Sequence, residues 1–124
     1  MGLKTFFFDS YAMHEIVVGN KNFDKYLFEV SIMTTIFQLM ELHYSLLRDY
    51  GKETADEEYD YFKKFVIEIN DETIKKANEF RYKNKVKKFS YIDCVGYTIA
   101  RIRGIKFLTG DNAFKGVEGV EFVK

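Results

Sequence analysis

Proline and tryptophan are absent from this 124-residue chain, and cysteine occurs once. The lone Cys94 excludes an internal disulfide and suits a reducing compartment. Set in the middle of an apolar helical stripe, it reads as a small core residue rather than a nucleophile. Net charge is missing too. Basic and acidic residues number 19 each, so no global field draws nucleic acid to the protein, and only local segregation of charge could do so. No apolar run reaches the roughly 18 residues of a membrane span. The opening MGLKTFFFDS holds no long apolar core and no cleavage site, and Gly2 lacks the following Ser or Thr of an acylation signal. The expectation is a cytoplasmic chain without membrane contact, forming one domain over residues 1–124. Paired-cysteine zinc spacing, a phosphate-binding glycine loop, a nucleophile elbow and a dinucleotide fingerprint are all missing, as are internal repeats and low-complexity linkers.

What the chain does have is apolar runs alternating with helical patterns, the signature of an α/β fold. Strands are expected near residues 4–8, 66–69, 105–109 and 120–123. The first lacks the alternation of a half-exposed strand, as in parallel sheets covered on both faces. Helices are expected from Ser10, which would cap the first, to about Val18, and in a short piece over 22–28 with Tyr26, Leu27 and Phe28 packing. Residues 31–48 read as one long helix, apolar nearly all round and therefore buried. Tyr59, Phe62 and Phe65 underlie an acidic block (Glu53, Asp56, Glu57, Glu58, Asp60) that reads as a solvated helix face. Asn70 offers a cap for a helix from about Glu72. Ser90 caps another, in which Ile92, Val95, Ile99 and Ile102 recur at helical spacing before Gly104 stops it.

Four acids stand out against this pattern. Asp9 and Asp111 each end an apolar strand, the edge of an open α/β sheet where ligands bind. Glu41 is the only formally charged residue between Met33 and Leu47, and a buried carboxylate must be neutral, paired or bound to a cation. Asp93 lies in the first turn of its helix. Each has a plainer reading: a helix-start acid for Asp9, a capping box with Ser90 for Asp93, a turn residue for Asp111. His14 and His43 read as structural.

The segments FFFDSYA, FQLMELHYSLLRDYG, SYIDCVGYTIA and KFLTGDNAF resemble the four acidic motifs of the PIN-domain family. They stand in the family's order and cover essentially the whole chain. The resemblance implies a three-layer α/β/α fold with a central, mainly parallel sheet of four or five strands. It implies a ribonuclease in which Asp9, Glu41, Asp93 and Asp111 bind Mg²⁺ or Mn²⁺ and activate a water against phosphodiester bonds. Asp9 and Asp111 are then the principal ligands, with Ser10, Thr109 and Asn112 supporting them. Many family members are the toxin half of VapBC pairs, which implies a small DNA-binding antitoxin as partner and a homodimer. A housekeeping RNA-processing nuclease and a non-catalytic binding or scaffold module stay open. A haloacid-dehalogenase-type transferase wants a second Asp where Tyr11 stands, and a receiver domain wants paired acids where Phe6, Phe7 and Phe8 stand.

Residues 75–88 hold seven bases against one acid, Glu79, with Phe80 and Tyr82 among them. Beside an acidic site, Lys83, Lys85, Lys87 and Lys88 read as a rim contacting RNA phosphates, or else as an ordinary solvated face. Four neighbouring carboxylates without a cation would repel one another, so at least one should hold its proton well above the usual range.

Overall fold

The computed structural model describes residues 2–124 and is built on a four-stranded, wholly parallel sheet. Strand β1 is Lys4–Phe8, β2 Val30–Met33, β3 Lys106–Thr109 and β4 Val120–Phe122, in the spatial order β2-β1-β3-β4. Helices α1 (Ser10–Val17), α2 (Ile36–Tyr50), α3 (Lys52–Phe62), α4 (Asp71–Lys83) and α5 (Tyr91–Arg103) cover both faces. The alternation within β1 builds the three layers. Phe6 and Phe8 pack with Met13, Leu39, Leu42, Leu46 and Phe62 from α1, α2 and α3. Phe7 points the other way, into Phe89, Phe107, Phe114 and the buried side of α5. Such an apolar run cannot have a wet face, and β1 has none.

Two expectations needed correction. Residues 31–48 are not one helix. Val30, Ser31, Ile32 and Met33 pair with Lys4, Thr5, Phe6 and Phe7 as an edge strand, and α2 begins only after Thr35, whose hydroxyl accepts the Phe37 N–H at 3.1 Å. A short apolar run cannot be told from helix by periodicity, and here the open edge of β1 decides it. Residues 66–69 are not a strand either, because only Val66 makes a bridge, to Thr34. Phe65 and Val66 pack on one face of the sheet while Ile67 and Ile69 pack on the other. The segment is apolar because it crosses from layer to layer.

Three smaller differences follow from packing. The short helix is a 3-10 turn, Lys21–Tyr26, after which Leu27 and Phe28 are exposed rather than packed. Asp9, not Ser10, caps α1. Helix α2 buries Gln38, Leu39, Leu42 and Leu46, while Phe37, Met40, Tyr44 and Leu47 face outward. Among the described residues, no helix is long and apolar enough to cross a membrane.

Candidate metal centre

After β1 the chain turns to β2 on one side, while β3 lies on the other, so the direction of winding switches between β1 and β3. Their carboxyl ends carry Asp9 and Asp111, and this is the crevice where open sheets take ligands. A cavity of about 910 Å³ opens there, and Asp9, Glu41, Asp93 and Asp111 all line it, with Ser10 and Asn112.

Each acid is held by its own local structure. Asp9 Oδ1 accepts the Ala12 N–H at 2.8 Å as the cap of α1. The Ser10 hydroxyl, freed from capping, donates to Glu41 Oε1 at 3.0 Å and ties α1 to α2. Ser90 and Asp93 form a complete capping box at 3.0 and 3.1 Å, which engages Asp93 Oδ2 and leaves its second oxygen out of the box. Asp111 Oδ1 accepts the Ala113 N–H at 3.0 Å. Fully buried Thr109 links the strand ends. Its hydroxyl accepts the Asp111 N–H at 3.0 Å and favours the charged form of Asp9. The plain structural readings of Asp9, Asp93 and Asp111 therefore describe real bonds, and the same carboxyls also face one cavity.

The electrostatics of that cavity are unfavourable to anions. Asp9 is 4% exposed, and its carboxyl is pushed up to about 8, first by burial and then by Asp93 and Asp111, against the bonds from Thr109 and Ala12. Burial also raises Glu41 and Asp93, with Asp111 adding to both. Mutual repulsion was the expected cause, yet desolvation is the larger one, since an unpaired buried carboxylate costs several kcal/mol. Cys94, beside Asp93 in sequence, takes no part: its thiol is pushed up to about 11 by burial, and it packs in the core.

Among the described residues, no three His, Cys, Asp or Glu side chains converge into a ready-made ion nest. The donor set nevertheless fits a hard cation. It is all oxygen, it is carboxylate-rich, and Mg²⁺ takes only one or two protein carboxylates and keeps several waters.

Sequence reasoning missed several residues of the cavity wall: Tyr11, His14, Met40, Tyr44, Arg48 and Lys124. Arg48, two helical turns beyond Glu41, could have been found by its spacing. Its guanidinium is held by Asp49 at 2.8 and 3.0 Å. Lys124 gave no signal, because only the packing of β4 brings it back to donate to Asn112 Oδ1 at 2.8 Å. His14 Nε2 lies 3.4 Å from Asp49 Oδ2 without hydrogen-bond geometry. His43 bonds Asp56 at 2.8 Å and braces α2 on α3. Lys83, Lys85, Lys87 and Lys88 do not line the cavity. They sit at the end of α4 and in and after the 3-10 turn Lys85–Lys87 that leads to Ser90.

A parallel α/β/α sandwich with carboxylates at its switch point defines a class, and likeness to known proteins gives the family. Residues 6–120 match the PIN domain, and the chain belongs to that family. No curated protein matches it. Among solved structures it is similar to VapC20 of Mycobacterium tuberculosis, a sarcin-ricin loop cleaving toxin, at TM-score 0.77 and 18% identity, covering 96% of this chain and 99% of that one. It is similar to a toxin–antitoxin complex from Klebsiella pneumoniae at 0.72 and 15%, covering 93% and 94%. A third neighbour is VapBC2 of Rickettsia felis, bound to a DNA fragment from its promoter, at 0.68 and 16%, covering 97% and 99%. At these identities the likeness is one of fold.

Proposed function

We propose that the protein is a metal-dependent ribonuclease of the VapC toxin type. The observation that carries this reading is that four separately held acids line one cavity at the switch point of a PIN domain. Asp9 and Asp111, set by strand ends, are the principal holders of Mg²⁺ or Mn²⁺. Glu41, oriented by Ser10, and Asp93, oriented by Ser90, complete the set. The ion supplies an activated water and neutralises charge on the phosphate. The chain's own part is to fix the acids, to exclude bulk water around Asp9, and to meet the phosphate with Arg48 and Lys124 at the cavity wall. Thr109, which accepts the Asp111 N–H and favours the charged form of Asp9, keeps Asp9 and Asp111 in one register.

Partners follow from the outer face of α2. Phe37, Met40, Tyr44 and Leu47 form an exposed apolar stripe, and a second cavity of about 640 Å³ runs along it between α2 and α3. Contiguous apolar surface of this kind marks protein contacts. A small DNA-binding antitoxin is the partner that the toxin–antitoxin neighbours suggest, and a homodimer is the assembly that the exposed stripe itself supports. The function is tested by incubating a mixed RNA pool with purified protein. Cleavage should require Mg²⁺ or Mn²⁺ and vanish in Asp9→Asn.

A further inference from the structure

The first turn of α1 carries a donor that the fold does not use. Tyr11 follows the cap residue Asp9 by two positions, and it lines the cavity. Its ring is held from two sides. It packs against the core on the α1 side of the sheet, with the Phe23 ring centroid 6.3 Å away. Against it also lies Gly110, whose φ is not positive and whose backbone therefore makes no demand for glycine. What Gly110 lacks is room. A Cβ there would stand 2.2 Å from Tyr11 Cε1, 2.6 Å from Tyr11 Cζ and 2.3 Å from the Val123 carbonyl oxygen. The ring edge that bears the hydroxyl thus rests on the residue between Thr109 and Asp111, and Tyr11 spans from the end of β1 to the end of β3.

Burial first, and then the charges of Glu15, Asp9 and Asp111, hold the phenol's proton above the ordinary tyrosine range. Those three carboxyls have other engagements. Glu15 Oε1 accepts from Asn20 Nδ2 at 2.8 Å, and its Oε2 lies 3.3 Å from His14 Nδ1. Asp9 and Asp111 accept the N–H groups of Ala12 and Ala113. Among the described residues, none hydrogen-bonds to the Tyr11 hydroxyl. Other donors of the cavity wall are already tied: Ser10 to Glu41, Arg48 to Asp49, Lys124 to Asn112. Ionised carboxylates only accept hydrogen bonds, so a phosphate brought among them needs donors from the wall. We propose that the Tyr11 hydroxyl donates a hydrogen bond to a non-bridging oxygen of the scissile phosphate, which makes Tyr11 a further catalytic residue. The phenol keeps its proton throughout and takes no acid–base part. Its bond strengthens as negative charge grows on that oxygen during attack, so it acts on kcat more than on binding. This rests on the ribonuclease reading and adds a residue to it.

Tyr11→Phe removes one oxygen and keeps the ring over Gly110, so it separates the hydroxyl from the packing. The full chain is compared with this variant in Mn²⁺, on one RNA that the wild type cuts. The variant's kcat should fall about ten- to a hundredfold, the range of one hydrogen bond to a charged group, at an unaltered KM. Orthovanadate, which can adopt the five-coordinate shape of a phosphoryl group under attack, should bind the variant more weakly by a similar factor. Urea midpoint and Mn²⁺ affinity should match the wild type. A loss of Mn²⁺ affinity as large as the loss of kcat would place the hydroxyl in the ion's shell and overturn its role on the phosphate. The two readings fail separately. Cleavage with equal kcat in both proteins leaves the nuclease and removes the donor. Vanadate binding that depends on the hydroxyl, without any cleavage by the wild type, removes the nuclease and leaves the donor. No cleavage, with vanadate binding equal or absent in both, overturns both.

Discussion

Gln38 reaches from the first turn of α2 to the first turn of α5, where its Nε2 donates to the Ile92 carbonyl at 3.0 Å. It is 1% exposed, and its Oε1 accepts the Thr35 hydroxyl. Glu41 lies one turn beyond Gln38, and Asp93 directly follows Ile92, so this side chain sets the spacing of two site acids from below. Gly96 makes room for it. A Cβ there would stand 2.6 Å from Gln38 Nε2 and 2.7 Å from the Phe7 ring.

Gln38→Leu should therefore cost about 1–3 kcal/mol, because the Thr35 hydroxyl loses its buried partner. Gly96→Ala should cost a similar ~1–3 kcal/mol through overpacking. Urea melts give both values. If spacing is what Gln38 provides, Gln38→Leu also weakens Mn²⁺ binding, and unchanged Mn²⁺ affinity would limit its role to the core.

Asp9 makes the metal-free protein sensitive to alkali. Its folded carboxyl titrates at about 8 against an ordinary 3.8, so the folded state holds this proton more tightly than the unfolded chain. Its contribution is fully present below about pH 4 and is lost as pH rises through about 8. Asp9→Asn keeps a carbonyl oxygen for the Ala12 N–H but carries no charge to bury. In chelator, the wild type should match or exceed Asp9→Asn at pH 5 and fall below it at pH 9. Parallel stability curves across that range would contradict the burial of a titrating carboxyl.

The apolar stripe of α2 gives a prediction about assembly. Phe37→Asp should leave the fold intact, since Phe37 is exposed, and should shift a dimer toward monomer in light scattering. A wild type that stays monomeric at high concentration would remove the homodimer.

Thr109→Val should be more harmful than its small change in shape suggests. The methyl keeps the packing of a fully buried site, but the Asp111 N–H loses its acceptor and Asp9 loses a group that favours its charge. The cost should be about 1–3 kcal/mol, with the alkaline loss of stability moving to higher pH. An unchanged pH profile would mean that Thr109 acts on Asp111 alone.

The parts of this fold that were legible in the sequence are those in which one residue's neighbours sufficed. Phe6, Phe7 and Phe8 announce a covered strand and place Asp9 at its end, and Gly104 ends α5 with φ of 67° as its position implied. Ser31 to Met33 failed because a strand four residues long becomes a strand only when β1 lies beside it. Val66 to Ile69 failed because an apolar crossover and an apolar strand look alike until their hydrogen bonds are traced. At the site, the four acids could be picked out because charge in apolar surroundings is costly. Lys124 could not, since an exposed polar residue carries no such cost and only the folded chain brings it near the acids.

The central claim is that Asp9, Glu41, Asp93 and Asp111 act as one divalent-metal centre. Calorimetric titration of Mn²⁺ into the metal-free wild type, Asp9→Asn and Asp111→Asn tests it most directly. The account predicts saturable binding to the wild type, tighter as pH rises through about 8 because Asp9 must release its proton, and weaker binding in each variant by at least about tenfold. A wild type that takes up no Mn²⁺ at millimolar concentration, or variants that bind as well as it does, would contradict it.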